Sequence, residues 1–325
     1  RPVMSQALVS DQARLSILCV LGASLAFSLN DITVKYFTDS LPLHEVILFR
    51  SLFGMAFILF LFGRGVPFKT MFSTRRLLRH ILRGLSVVVA NFAFFAGLAA
   101  LPLAEASAIF FIAPLLITGF SAFFLGEYVG VWRWTALLVG LLGVLIIVKP
   151  GSAAFQWAVI LPLLSAIAYA TLHTITRSMG LAEAPITMSL YIQLVFIVVC
   201  LGMGVMFGDG RFEGLGHPSA EFILRAWAWP SGRDVLLFVA AGFFSASGGY
   251  LISQAYRSSS AGLVAPFEYS TIILAVLWGY IFWQEMPGLS SAFGIFLIIA
   301  SGVFVAIREF KRQVPPASQK LSARR

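Results

Sequence analysis

The chain has 325 residues, of which 59% are hydrophobic and only 11% are Asp, Glu, Lys or Arg; its mean hydropathy is +0.91. A soluble domain carries about 25% charged residues, so this composition excludes an ordinary cytosolic enzyme, a disordered chain and a disulfide-built secreted domain. It predicts an all-α, polytopic membrane protein whose apolar surface is solvated by lipid. The net charge of +9 raises a nucleic-acid partner, but its placement along the chain argues against one.

Ten stretches are long and apolar enough to cross a bilayer: 14–36, 43–63, 83–100, 103–125, 131–149, 156–177, 185–207, 233–256, 262–282 and 288–307. The first is too long for a signal-peptide core and reads as a retained helix. Leu101-Pro102 joins the third and fourth in a tight helical hairpin. The longest loop, Gly208 to Gly232, carries Trp227 and Trp229, which read as interfacial anchors. Placing the N-terminus in the cytoplasm puts 17 of the 23 Lys and Arg on the cytoplasmic side. They include Arg64, Lys69, Arg75, Arg76, Arg79 and Arg83 after the second span, and a basic tail from Arg308 to Arg325. Both termini are therefore expected in the cytoplasm, with the tail held at the lipid surface.

The two halves resemble each other. Ala26-Phe27 through Lys35 aligns with Ala168-Tyr169 through Arg177, which sets Asp31 opposite His173. The run ending in Leu125-Gly126-Glu127 matches the run ending in Trp283-Gln284-Glu285. Five spans per half is an odd number, so the second half enters the membrane from the opposite side. This predicts two inverted five-helix repeats, 14–151 and 152–309, flanked by segments 1–13 and 310–325. In such plans the substrate site lies near the midplane between the repeats. Pro114, Pro162 and Pro266 lie in or beside spans, as fixed kinks or hinges.

Ionisable and polar residues at membrane depth are the site candidates. Asp31 and Lys35, four apart on one helix face, either neutralise each other or form a gate or ligand anchor. Arg50 needs a partner: Asp31, Glu45, or the anionic group of a substrate held by a forked hydrogen bond. Glu105 favours the positive end of a helix or carries a proton, and Glu268, after Pro266, is better placed for cavity work. Asn91, Tyr169, His173, Gln193, Tyr250 and Gln254 are neutral polar groups that either bond helix to helix or line a cavity. His173 titrates near neutral pH. Trp278 and Phe110 are candidates for stacking on a planar ligand. The four scattered histidines give no zinc spacing, no phosphate-cradling Gly-Lys-Ser/Thr loop occurs, and Gly119 to Phe123 is a poor nucleophile turn. No catalytic set, metal or cofactor is expected. An intramembrane enzyme, which would need Ser121 to meet His173, is the remote alternative; a channel or scaffold is the nearer one.

Several strings carry a family resemblance. They are Leu101-Pro102-Leu103-Ala104-Glu105-Ala106-Ser107 with Ala113-Pro114; Leu125-Gly126-Glu127 with Gly140 to Gly151; and Ala265-Pro266-Phe267-Glu268-Tyr269 leading to Trp283-Gln284-Glu285. Over residues 14 to 309 the chain resembles the EamA-type family of the drug/metabolite transporter superfamily. Gln284 stands where that family usually has glycine. The resemblance implies a secondary transporter of the bacterial inner membrane, monomer or homodimer, working by alternating access and either proton-coupled or an exchanger. It implies a small-molecule cargo resembling S-adenosylmethionine, riboflavin or an amino acid. It also implies that Glu127 and Glu285 tie helix ends to their neighbours.

Overall fold

The computed structural model describes residues 2–125, 130–150, 156–179, 184–258 and 267–311. Glu127, Pro266 and the tail beyond residue 311 lie outside them. Every regular element among the described residues is helical.

Helix α1 runs Pro2–Tyr36 and α2 Leu43–Phe57, the latter continuing into a π-helical turn, Ile58–Phe62. A short α3, Phe68–Met71, leads to α4, Leu77–Leu98. Then come α5, Leu103–Phe110; α6, Ala113–Leu125; α7, Val131–Val148; α8, Ile160–Met179; and α9, Pro185–Phe207. The last four are α10, Pro218–Leu224; α11, Gly232–Ser258; α12, Ser270–Trp283; and α13, Leu289–Lys311. Among the described residues seven helices are long and apolar enough to cross a membrane. Three shorter apolar stretches, Leu103–Ile117, Ser270–Trp283 and Leu289–Val305, fall where the sequence puts its fourth, ninth and tenth spans.

Two expectations need correction. The third span begins at Leu77 rather than residue 83. Arg83 is therefore a buried helix residue and not a loop charge. Its Nε donates to Thr176 Oγ1 at 2.7 Å and its Nη1 to the Met188 carbonyl at 3.2 Å, so it ties α4 to α8 and α9. The fourth span is not one helix. Pro114 has no N–H to give the Phe110 carbonyl, and regular helix stops at residue 110 and restarts at 113. Across the break the bonds tighten to the three-residue kind: Ile112 donates to Ile109 and Leu115 to Ile112.

Packing follows a twofold pattern. Helix α1 lies along α11, and its counterpart α8 lies along α4. Helix α2 packs on α11 as α9 packs on α4, and α12 meets α1 as α6 meets α8. The pairs α2 with α9 and α7 with α13 each join an element to its own counterpart, and α5, the first part of the fourth span, meets α12 of the corresponding span. Each element's mate is the fifth apolar segment further along the chain, and an odd step reverses direction across a bilayer. The axis relating the halves therefore lies in the membrane plane. The α7–α13 seam is close enough to need glycine on both sides. A Cβ on Gly143 would stand 2.7 Å from the Gly294 carbonyl, and one on Gly294 would stand 2.6 Å from that of Gly143.

The long loop between α9 and α11 is folded onto the bundle. Phe222 of α10 is fully buried. Arg225 Nη1 donates to the Thr38 carbonyl at 3.0 Å, Ala228 N donates to Glu45 Oε2 at 3.1 Å, and His44 Nδ1 lies 3.2 Å from the Ile223 carbonyl. The Trp227 ring is partly buried and packs 5.8 Å from His44 and 6.3 Å from Phe49. Trp229 is 94% exposed.

Candidate functional site

Helices α1, α2, α4 and α9 bring one group of candidates together. Arg50 on α2 is 3% exposed. Its Nη2 donates to Asn91 Oδ1 at 3.1 Å, and Asn91 is oriented by its own Nδ2, which donates to the Val87 carbonyl at 3.2 Å. The guanidinium carbon lies 5.7 Å from the ring centre of Phe95 and 5.2 Å from that of Phe196. Arg50 Nε is buried without a hydrogen-bond partner. Asp31 is close enough for its charge to act on Arg50, but its Oδ1 accepts from Asn30 Nδ2 at 3.1 Å. Glu45 is not the partner of Arg50, because it holds the Ala228 amide. Gln193 on α9 is buried with Oε1 unpartnered, beside Gly54 one turn along α2 from Arg50.

A second group sits where the break in the fourth span faces the start of α12. Phe111, at the break, lies 5.8 Å from Tyr269, just before α12. Phe110 lies 5.2 Å from Tyr169, and Tyr169 lies 4.5 Å from His173. Glu268 is near enough for its charge to act on both Tyr169 and Tyr269. Tyr269 seats its ring in a notch at Gly302 of α13, where any Cβ would collide with it, and its buried hydroxyl has no partner. Phe94 touches both Phe110 and Phe95, so contiguous rings run from Arg50 to Glu268.

Other candidates are engaged elsewhere. Lys35 does not turn to Asp31. Its ammonium lies 2.9 Å from both Glu285 oxygens, 3.3 Å from the Leu101 carbonyl and 4.9 Å from the Trp283 ring centre. Glu285 also accepts the Leu103 amide at 3.0 Å, so one carboxylate ties α12 to α1 and to the α4–α5 hairpin. Glu127, its mate in the repeat, lies outside the described residues. Glu105 accepts from Ser291 Oγ at 2.5 Å, joining α5 to α13. Trp278 Nε1 donates to Ser28 Oγ at 3.1 Å, joining α12 to α1. On α11, Gln254 donates to the Tyr250 hydroxyl at 3.0 Å. Among the described residues no three His, Cys, Asp or Glu side chains are grouped to hold a metal ion. Phe95, Phe196, Phe111 and Tyr269 are the site residues that the sequence did not single out. Only Tyr269 carried a signal, lying between Glu268 and an apolar run after Pro266.

A helical bundle with twofold-related halves and polar side chains collected inside it is the architecture of a membrane carrier. The EamA-like transporter family model matches the chain twice, over residues 14–149 and 156–307, and the chain belongs to that family. It is 30% identical to a riboflavin transporter of Rhizobium johnstonii, over 96% of this chain and 98% of that one. It is 27% identical to an S-adenosylmethionine uptake transporter of Rickettsia felis, over 87% of this chain and 90% of the other. It is 29% identical to the pseudopaline exporter CntI of Pseudomonas aeruginosa, over 90% and 96%. A solved crystal structure superposes with a TM-score of 0.59 at 19% identity, covering 95% of this chain and 99% of that one, a likeness of fold alone. The chain is thus an integral membrane protein, and its relatives carry small metabolites.

Proposed function

We propose that the protein is a secondary transporter that moves a small metabolite through the bacterial inner membrane by alternating access, with both termini in the cytoplasm. The halves 14–151 and 152–309 are the moving parts. The observation that carries this reading is the meeting of Phe111 and Tyr269, at 5.8 Å, across the boundary between the halves. Interrupted helices in corresponding places of two inverted halves are the usual frame of a transporter's binding site. Here the interruption of the fourth span and the start of α12 bring aromatic faces to the same point.

The cargo we assign is an aromatic or heteroaromatic metabolite in the range of riboflavin and S-adenosylmethionine, which two relatives carry by name. Phe110, Phe111, Tyr169 and Tyr269 supply stacking faces, worth about 0.5–1.5 kcal/mol per ring pair beyond area burial. Relatives named for uptake and for export both match, so likeness sets no direction. Asp31 and Glu268 are the coupling candidates, being acidic groups beside the ring series, with His173 next to Tyr169.

Counterflow in proteoliposomes tests the reading. Liposomes preloaded with riboflavin or S-adenosylmethionine should take up labelled solute saturably and above its equilibrium level. Flux that rises linearly without saturation, or no flux with any member of a metabolite panel, would overturn it. A protonophore that leaves uptake unchanged would assign exchange rather than proton coupling.

A further inference from the structure

A guanidinium at membrane depth is costly unless charge or hydrogen bonds compensate it. Arg50 is 3% exposed, and among the described residues no carboxylate oxygen stands within ion-pair distance of it. One neutral amide, Asn91, takes its Nη2. The rings of Phe95 and Phe196 lie against it, and its Nε is buried with no acceptor. The Asn91 amide is fixed by its bond to Val87, so its oxygen is held towards Arg50. Arg50 thus presents a buried N–H with no acceptor, on a cation whose other side is bonded by a neutral amide, and the missing component is an acceptor with negative charge.

We infer that the cargo carries a carboxylate or phosphate, and that the Nε edge of Arg50 grips it. Paired N–H groups along a guanidinium edge match the paired oxygens of either anion. Asn91 acts as a positioning residue that keeps this edge turned inward. Asp31, whose charge reaches Arg50 and whose oxygen is held by Asn30, is the group that would face a cationic part of the same molecule. This inference rests on the transport reading above and adds the anionic requirement to it.

The test uses the purified full chain in detergent. Its melting temperature is measured against two matched pairs, riboflavin with its 5′-phosphate and S-adenosylmethionine with its decarboxylated form, and against a panel of anionic metabolites. At least one anionic compound should stabilise the protein at tenfold lower concentration than its uncharged or decarboxylated analogue. Arg50→Gln should erase that preference. Arg50→Lys should keep part of it, because charge remains and the fork is lost. Asn91→Asp supplies the missing acceptor from within, so it should raise the melting temperature and abolish anion binding, an outcome that loss of folding cannot imitate. Equal affinity for both members of each pair, no stabilisation by any anionic compound, or an unchanged preference in Arg50→Gln would each overturn the inference. Counterflow run on the same preparations separates the two readings. Saturable exchange without an anion preference retains the transporter and removes the Arg50 anchor. Anion binding without exchange retains the anchor and removes the transporter.

Discussion

Lys35 and Glu285, 250 residues apart in the chain, form the ion pair that closes one end of the bundle, with the Lys35 ammonium 2.9 Å from both carboxylate oxygens. The pair is fastened to the α4–α5 hairpin through the Leu101 carbonyl and the Leu103 amide. Lys35 is 5% exposed and Glu285 26%. Removing one partner of a fully buried pair costs about 3–5 kcal/mol. The part-exposed carboxylate lowers this, and Glu285→Gln should destabilise by about 2–3 kcal/mol. The swap Lys35→Glu with Glu285→Lys should recover at least half of the loss in a detergent melt. Equal melting of the single and double variants would show that the two charges are not coupled.

Gln284 holds a left-handed conformation with φ 55° after the last turn of α12. Glycine, the residue usual there in the family, takes this conformation without Cβ strain. Gln284→Gly should therefore stabilise by about 0.5–1 kcal/mol, and Gln284→Val should destabilise by about 1–2 kcal/mol. Thermal unfolding of the two variants checks the sign of each.

The α7–α13 seam has no room for a methyl group. Gly143→Ala should cost about 1–3 kcal/mol by forcing the helices apart. Gly202→Ala, where a Cβ meets nothing within 4 Å, should be neutral or stabilising. If both substitutions shift the melting temperature alike, the seam is looser than described.

Pro114→Ala returns an N–H to the Phe110 carbonyl and should let α5 and α6 fuse. Stability should hold or rise while counterflow falls at least tenfold. Wild-type counterflow in this variant would remove the broken helix from the mechanism.

A fluorescent protein fused after residue 325 should light up in the cytoplasm, and alkaline phosphatase at the same place should stay inactive. The reverse result would invert the assigned orientation.

The helices could be read from the sequence because lipid imposes a simple rule: some twenty apolar residues, then a polar turn. The internal likeness likewise pointed to two repeats, and the family model matches the chain twice. The rule failed at Arg83, because a charge at a helix start reads as loop whether or not distant groups receive it; Thr176 and Met188 do so here. Nor did composition reveal that the loop carrying Trp227 folds back on its bundle. The rule also failed for Lys35, where local spacing favoured Asp31 and the fold supplied Glu285. Arg50 was visible as an anomaly. Its neighbours Phe95 and Phe196 were hidden among 31 phenylalanines, since aromatic residues in membrane helices mostly carry no local mark of their role.

The seam of α1 with α11 and the seam of α4 with α8 are mirror tasks performed by related sequences. Under the alternating access proposed above, two contacts built to one plan would let one loosen while the other tightens at little net cost. A substitution confined to either seam would then need only about 1.4 kcal/mol to shift the balance between the two forms tenfold, without weakening the protein enough to unfold it.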